Sequence, residues 1–250
     1  MEPTLPLDIL LSIIDLLGAR GDISSLQILS QTCKYMVPLC RKHLFSSLHL
    51  RSTSISERFN DLLSKNPDIA RYVRSLNYRM YHPNRDYELN ILEMLKDRSS
   101  LRSIELSSPR LEWNSFPESI RSSLVSLIQL PTVTHLNIDS FRWFPATVLS
   151  SCSNLIDLQL GHVRLALPEA NQVISRSKIP TPVSLNIRSG THNLEELLNF
   201  ANLHAGGLIN FSRVQKAIFE VDSDLRGDIC NINNLIRVAT RLECINILSE

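Results

Sequence analysis

Glycine is scarce in this sequence of 250 residues, and the net charge is close to zero. With only 7 Gly and 12 Pro, the composition excludes collagen-like and low-complexity chains. The 26 basic residues nearly balance the 25 acidic ones, so no long-range field draws the whole chain to nucleic acid or anionic lipid. Hydrophobic residues make up 43% of the chain, which is enough for a packed core. We therefore expect an ordinary globular protein.

The residues that usually carry chemistry are few and scattered. No two of the five cysteines have the CxxC spacing of zinc ribbons and redox sites, and we expect them to be small buried apolar residues in a reducing compartment. Phosphate loops, nucleophile elbows, zincin helices and EF-hand loops are absent. His135, Asp139 and Asp157 could meet on adjacent strands, but no nucleophile accompanies them. We predict that the chain is not an enzyme and uses no cofactor or metal.

Long hydrophobic runs are also missing. The most apolar early stretch, residues 9–17, contains Ser12 and Asp15 and is far shorter than the roughly 20 residues that span a bilayer. The first residues lack the basic patch and the uninterrupted apolar run of a secretory signal. We therefore expect a protein of the cytoplasm or nucleus that does not interact with a membrane.

The first 50 residues carry apolar residues at helical spacing. A first helix is predicted over residues 9–17, with Pro6 suited to its first turn and Gly18 to its end. Asp22 is suited to cap a second helix, and a third is predicted over residues 37–48. Three short helices bury little area, so the module over residues 1–50 gains stability by packing against a neighbour or partner.

Two patterns in this module carry a family resemblance. The first runs Leu5-Pro6-x-Asp8-Ile9-Leu10-x-x-Ile13-Ile14-x-x-Leu17, and the second runs Asp22-Ile23-x-x-Leu26-x-x-Leu29-Ser30-x-x-Cys33-Lys34. Together they resemble the F-box of fungal F-box proteins, and residues 43–50 are similar to the helix-to-strand passage that often follows it in those proteins. The resemblance implies binding of the adaptor Skp1 and, through it, of the cullin scaffold of an SCF ubiquitin ligase. The residues implied in Skp1 binding are Leu5, Pro6, Ile9, Leu10, Ile13, Ile14, Leu17, Leu26, Leu29 and Cys33.

The module also has more apolar residues than so small a bundle can bury, which independently favours binding to an apolar groove of a partner protein. The alternative is that these side chains pack against the rest of the chain.

Beyond residue 50, the pattern apolar-x-x-apolar-x-apolar recurs seven times, and successive copies begin 22 to 32 residues apart. Recurrence at such a period is typical of a solenoid. Apolar residues at helical spacing fill most gaps, which predicts an α/β fold over residues 51–250, a right-handed β/α solenoid with a parallel sheet. The copies are Val73/Leu76/Tyr78, Leu101/Ile104/Leu106, Val133/Leu136/Ile138, Leu155/Leu158/Leu160, Pro182/Leu185/Ile187, Val214/Ala217/Phe219 and Leu242/Ile245/Ile247.

The second, fourth and seventh copies resemble the core of a leucine-rich repeat. If their apolar residues point inward, strand alternation sends the residues between them to a concave polar face. Such a face is the usual recognition surface of solenoids, whereas the simpler interpretation is a solvated face. The residues predicted to bind a protein substrate are Asn77, Arg79, Glu105, His135, Asn137, Asp139, Asp157, Gln159, Asn186 and Arg188. The sequence stops directly after a repeat strand, so we expect that C-terminal repeats are missing from it.

These patterns predict a substrate-recognition adaptor of an SCF-type ubiquitin ligase that itself catalyses no reaction. One alternative is a non-catalytic interaction scaffold, independent of ubiquitination, in which the helical module only closes the solenoid. A second is a solenoid that binds nucleic acid through Arg71, Arg74, Arg79 and Arg85 and the tyrosines among them, which the balanced charge disfavours.

Overall fold

The computed structural model describes residues 6–81, 86–168, 179–188, 194–198, 208–221 and 225–249. Over these residues it is an α/β structure in which three helices precede an eight-stranded parallel sheet. The predicted α/β class and parallel pairing are therefore confirmed.

The first three helices are α1 (Leu7–Arg20), α2 (Ile23–Thr32) and α3 (Met36–Leu44). The predicted cap of α2 is confirmed, because Asp22 Oδ1 accepts a hydrogen bond from the backbone amide of Ser25 at 3.0 Å. The predicted end of α1 at Gly18 is wrong. The helix continues to Gly21, whose φ of 68° lies in the left-handed region that glycine adopts without strain and that commonly ends helices.

All eight strands of the large sheet follow one another in chain order, and each is parallel to its neighbours. The strands are β1 (Ser47–Leu50), β2 (Ser75–Arg79), β3 (Ser103–Ser107), β4 (His135–Asp139), β6 (Asp157–Gly161), β8 (Ser184–Arg188), β9 (Lys216–Val221) and β10 (Cys244–Ser249). Each of the seven repeat copies contributes one of the last seven strands. Strand β1 is additional and pairs with β2, so the helical part of the N-terminal module ends at Leu44.

Helices connect the strands and pack on one another. They are α4 (Thr53–Lys65), α5 (Asp86–Arg98), α6 (Glu118–Ile128), α7 (Ala146–Ser150), α8 (described over residues 194–198) and α9 (Leu225–Val238), with 3-10 helices at Pro67–Tyr72, Trp113–Ser115 and Phe211–Arg213. Buried residues of these helices, such as Leu92 and Leu124, belong to the same hydrophobic cluster as the strand residue Leu106. The helices therefore cover the apolar face of the sheet.

The pairing register aligns the repeat copies residue by residue. Two rows of apolar side chains run across the sheet. One row contains Leu76, Ile104, Leu136, Leu158 and Leu185, and the other contains Tyr78, Leu106, Ile138, Leu160 and Ile187. All are almost completely buried. Burying such a side chain contributes roughly 1.5–3 kcal/mol relative to leaving it exposed, so these rows are the main source of stability in the sheet.

A second, two-stranded parallel sheet, β5 (Phe144–Pro145) and β7 (Leu165–Ala166), lies in the loops that follow β4 and β6. Phe141 and Phe144 pack edge to face against Trp113, which belongs to the loop after β3. All three rings are buried. This packing anchors the loops at the carboxyl ends of the central strands.

The helical module has a core of its own, formed by the buried residues Ile14, Leu26, Met36 and Cys40. This cluster is separate from the one that runs through the sheet and its helices. Helix α3 nevertheless contacts the 3-10 helix Pro67–Tyr72. The module therefore sits at the β1 end of the sheet.

The cysteines depart in part from the expectation of burial. Cys40 and Cys152 are buried, whereas Cys33, Cys230 and Cys244 are exposed. Cys33 follows α2 in an extended conformation, and Cys244 begins β10, which pairs with β9 alone among the described strands. None of the helices in the described part of the chain has the length and apolar character needed to cross a membrane.

Candidate binding surfaces

Helix α1 carries an apolar face that remains about half exposed to solvent. Ile9, Ile13 and Leu16 recur at a spacing that places them on one side of the helix, and they are 44%, 40% and 52% exposed. We call these three residues the α1 apolar face. Their exposure is large beside a module core of only four buried residues.

The predicted Skp1-binding residues divide into groups by exposure. Pro6, Ile9, Ile13 and Cys33 are exposed, and Leu10, Leu17 and Leu29 are half-buried against the module core. Ile14 and Leu26 are fully buried in that core, so they support the helices and offer no surface to a partner in this structure. Leu5 lies outside the described residues. Leu16 is missing from the predicted set although its spacing from Ile9 and Ile13 was visible in the sequence.

Helix α1 packs closely against α3 through the polar contacts of Asp15 and the absence of a side chain at Gly18. Asp15 accepts hydrogen bonds from Lys42 Nζ at 2.6 Å and from His43 Nε2 at 2.9 Å. These two hydrogen bonds lower the pKa of Asp15 from its ordinary value, and the one from Lys42 has the larger effect. A Cβ atom at Gly18 would lie 2.1 Å from His43 Nδ1. Gly18 therefore makes room for the imidazole, which explains a glycine inside the helix.

The structure places all ten predicted substrate-binding residues on the face of the sheet opposite the apolar rows. We call it the polar face. Its central row pairs Asn77, Glu105, Asn137, Gln159 and Asn186 across five strands. Its outer rows contain His135 beside Asp157, and Arg79, Ser107, Asp139, Gly161 and Arg188.

Several groups on the polar face have hydrogen-bonding capacity to spare. Asn77 donates to Glu105, and Gln159 Nε2 donates to Asp157 Oδ2 at 3.2 Å. The other carboxylate oxygen of Asp157 is buried and has no partner among the described residues. The carboxamides of Asn137 and Asn186 make no hydrogen bond within the described chain. The two carboxamides are partly exposed and available to a ligand that lies across the strands, whereas the buried oxygen of Asp157 is not.

Asp139 is engaged by residues outside the predicted set. It accepts a hydrogen bond from Ser140 Oγ at 3.0 Å, and its Oδ1 lies 3.5 Å from His162 Nδ1. Ser140 and His162 directly follow β4 and β6 with left-handed φ values of 61° and 50°. A side chain at Gly161 would collide with Asp139 Oδ1, since an added Cβ would lie 2.4 Å away.

The trio His135, Asp139 and Asp157 is not assembled. The ring of His135 is hydrogen-bonded to Thr134 Oγ1 at 2.8 Å, and the two carboxylates have the separate partners described above. No hydrogen bond or ion pair joins any two of the three within the described part of the chain. The geometry therefore gives no support to the catalytic interpretation of these residues.

The arginine and tyrosine segment is also dispersed. Arg71 pairs with Asp68 at 3.1 Å, and Arg74 Nη1 donates to the Ser100 carbonyl at 3.4 Å. Tyr78 is 2% exposed and belongs to an inner row of the sheet, so its ring offers no face to a base. Arg85 lies outside the described residues.

Two adjoining cavities open at the carboxyl ends of β1 to β4. The larger, of about 480 Å³, is lined by Leu50, Arg51, Ser52, Thr53, Ser56, Arg79, Tyr81 and Glu88. The smaller, of about 350 Å³, is lined by Arg51, Asn77, Arg79, Glu105, Ser107, Ser108, Asp139 and Ser140. Arg51 and Arg79 line both. Sequence reasoning missed Arg51, because its place beside Arg79 depends on the pairing of β1 with β2.

The described residues contain no group of three histidine, cysteine, aspartate or glutamate side chains that could hold a metal ion. Comparison with protein-family models, curated proteins and solved structures finds no match to this chain.

Proposed function

We propose that this protein is the substrate-recognition adaptor of an SCF-type ubiquitin ligase. Its N-terminal helices act as an F-box that binds Skp1, and its repeats form a leucine-rich-repeat-like solenoid whose polar face binds a protein substrate. Other subunits of the ligase perform ubiquitin transfer, and this chain catalyses no reaction. The observation that carries the proposal is the exposed α1 apolar face on a module whose small core is already filled.

The energetics favour a partner for this face. Moving a large aliphatic side chain from water into an apolar groove is worth roughly 1.5–3 kcal/mol when its burial is complete. Ile9, Ile13 and Leu16 are each about half exposed, so a groove that covers all three gains a few kcal/mol. An amphipathic helix laid into a hydrophobic groove is a common recognition mode, and it matches the spacing of these residues.

The polar face supports the second part of the proposal. Parallel strands that follow chain order, with helices on the opposite face, are the arrangement expected of a β/α solenoid. A protein segment lying across β4, β6 and β8 would meet the carboxamides of Asn137 and Asn186, which make no hydrogen bond within the described chain.

A second candidate function is a non-catalytic scaffold independent of ubiquitination. The contact between α3 and the 3-10 helix Pro67–Tyr72 favours it, because a module that covers the β1 end of the sheet acts as a solenoid cap. A cap protects the terminal apolar layer. That role does not require the α1 apolar face, which points away from the module core.

Binding to purified Skp1 separates the two candidates. The test variant is Ile9→Ser/Ile13→Ser, and the control is Ile156→Ser/Ile236→Ser, which removes two isoleucines of closely matched exposure, 46% and 44%, elsewhere on the chain. We expect the wild type and the control to bind Skp1 and the test variant to bind at least tenfold more weakly, which is a difference of about 1.4 kcal/mol. Absence of binding by the wild type, or equal binding by the test variant, would refute the adaptor function.

A further inference from the structure

Two arginines lie side by side at the β1 edge of the polar face. Leu50 is the pairing partner of Tyr78, so the residues that follow them, Arg51 just beyond β1 and Arg79 at the end of β2, lie beside each other where neighbouring strands are about 4.8 Å apart. Both side chains are exposed and line the same cavities. Like charges at this spacing destabilise a sheet unless an anion comes between them.

No carboxylate in the described chain forms an ion pair with either arginine within 4 Å. The Arg79 guanidinium is instead held 4.9 Å from the ring centre of Tyr81. Stacking on an aromatic ring fixes the plane of a guanidinium and leaves its N–H groups free to donate. Arg79 is therefore positioned before any ligand arrives.

The larger cavity is the better place for an anion. Its lining adds the hydroxyl groups of Ser52, Thr53 and Tyr81 to the two arginines. Its one carboxylate, Glu88, accepts a hydrogen bond from the Tyr78 hydroxyl at 2.7 Å, and its single negative charge leaves the two arginines with one positive charge in excess. The smaller cavity places Glu105 and Asp139 beside the same arginines, and these two carboxylates offset the positive charge there.

We propose that the larger cavity is an oxyanion subsite of the polar face, which takes one phosphate ester or carboxylate group of a bound protein. The Arg51 and Arg79 guanidinium groups grip the oxygens through paired N–H donors, the geometry in which arginine binds such groups most strongly. The hydroxyl groups of the lining complete the set of donors. This inference rests on the proposed role of the polar face for the origin of the anion, but it does not depend on Skp1 binding.

The test is a titration of the full-length chain at low ionic strength, followed by NMR or calorimetry. The probes are inorganic phosphate, N-acetylphosphoserine amide and N-acetylglutamate amide. The test variant is Arg51→Gln/Arg79→Gln. The control is Arg213→Gln/Arg237→Gln, which removes the same charge from two exposed arginines that do not belong to the polar face. Thermal melting and Skp1 binding are measured on every variant, so that unfolding or failure of the adaptor function is recognised separately.

We expect the wild type and the control to bind at least one probe, and the test variant to bind it roughly tenfold or more weakly. The probe that binds identifies the source, because response to phosphoserine alone indicates a modified substrate and response to glutamate as well indicates an acidic one. Binding of no probe by the wild type would overturn the proposal. So would a loss that is equal in the test variant and the control, since that result indicates unspecific attraction.

Discussion

The helical module and the sheet use apolar residues in opposite ways. In the sheet, the aliphatic side chains form continuous rows that are buried between strands and helices, and the outward face is polar. In the module, four residues fill the core while Ile9, Ile13 and Leu16 remain exposed. The rows of the sheet from β2 to β8 are therefore buried within the chain, whereas the module keeps an exposed surplus. The last strand is an exception, because Ile247 and Leu248 in β10 are each 54% exposed. This difference suits the module to binding a partner through its exposed apolar residues, and it suits the sheet to binding a ligand on its polar face.

Thiol reactivity tests this difference with the largest expected effect. Burial raises the pKa of Cys152 to about 12 and also raises that of Cys40. The thiolate is the reactive form, so Cys33, Cys230 and Cys244, which are exposed, should react with Ellman's reagent at pH 8 at least roughly a hundredfold faster than Cys152. Cys40 should be intermediate, because the small module core opens more readily than the sheet. Equal protection of Cys40 and Cys152 would contradict this.

Core truncation should separate the two regions next. Leu158 is fully buried in a row of the sheet, so Leu158→Ala should reduce the free energy of unfolding by roughly 2–5 kcal/mol through lost burial and the cavity left behind. Ile13→Ala, on the exposed face of α1, should cost less than about 1 kcal/mol. Urea denaturation followed by circular dichroism measures both. Similar losses for the two variants would mean that Ile13 packs within the chain.

Gly18→Ala tests how the module is closed. Alanine is favoured over glycine in a helix by about 1 kcal/mol, but here the added Cβ would lie 2.1 Å from His43 Nδ1. The imidazole must then move and lose its bond to Asp15, and we expect a net destabilisation of roughly 1 kcal/mol. In a His43→Ala background the same change should stabilise the protein. Destabilisation of equal size in both backgrounds would exclude the imidazole as the cause.

Lowering the pH should destabilise the module slightly by protonating Asp15, and this is the smallest of the effects that we expect. The pKa of Asp15 is lowered in the folded chain by its hydrogen bonds to Lys42 and His43. Its stabilising contribution is therefore present above the unfolded value of about 3.9 and is lost as the pH falls through the lower folded value. Asp15→Asn should lower the melting temperature slightly at pH 7, and this difference should shrink when the pH is lowered from the unfolded value of about 3.9 through the folded one. Glu57→Gln, at an exposed position without an ion pair in the described chain, is the control and should change little over this pH range.

Much of the sheet could be predicted because its pattern is local. Alternation of apolar and polar residues set the strands of the seven repeat copies and the ten residues of the polar face. The repeat pattern does not include strand β1, because its two buried residues, Leu48 and Leu50, are too short a signal until β2 lies beside them. Only the family resemblance of residues 43–50 indicated a strand there. The neighbourhood of Arg51 and Arg79, and the contact of Asp139 with His162, likewise depend on register between distant segments.

The helix ends show the same limit. Gly18 and Gly21 look alike as stop signals, but only Gly21 adopts a positive φ. Gly18 is required by the imidazole of His43, which approaches from a different helix. Local sequence cannot distinguish a glycine needed for its backbone from one needed for its missing side chain.

Amide hydrogen exchange of the full chain, with and without purified Skp1, tests most directly whether the module associates while the sheet presents. The account predicts that Skp1 slows exchange in α1 and α2 and leaves β3, β4 and β6 unchanged, since the α1 apolar face lies on the module alone. Slowed exchange confined to the strands, or no change in α1, would contradict it.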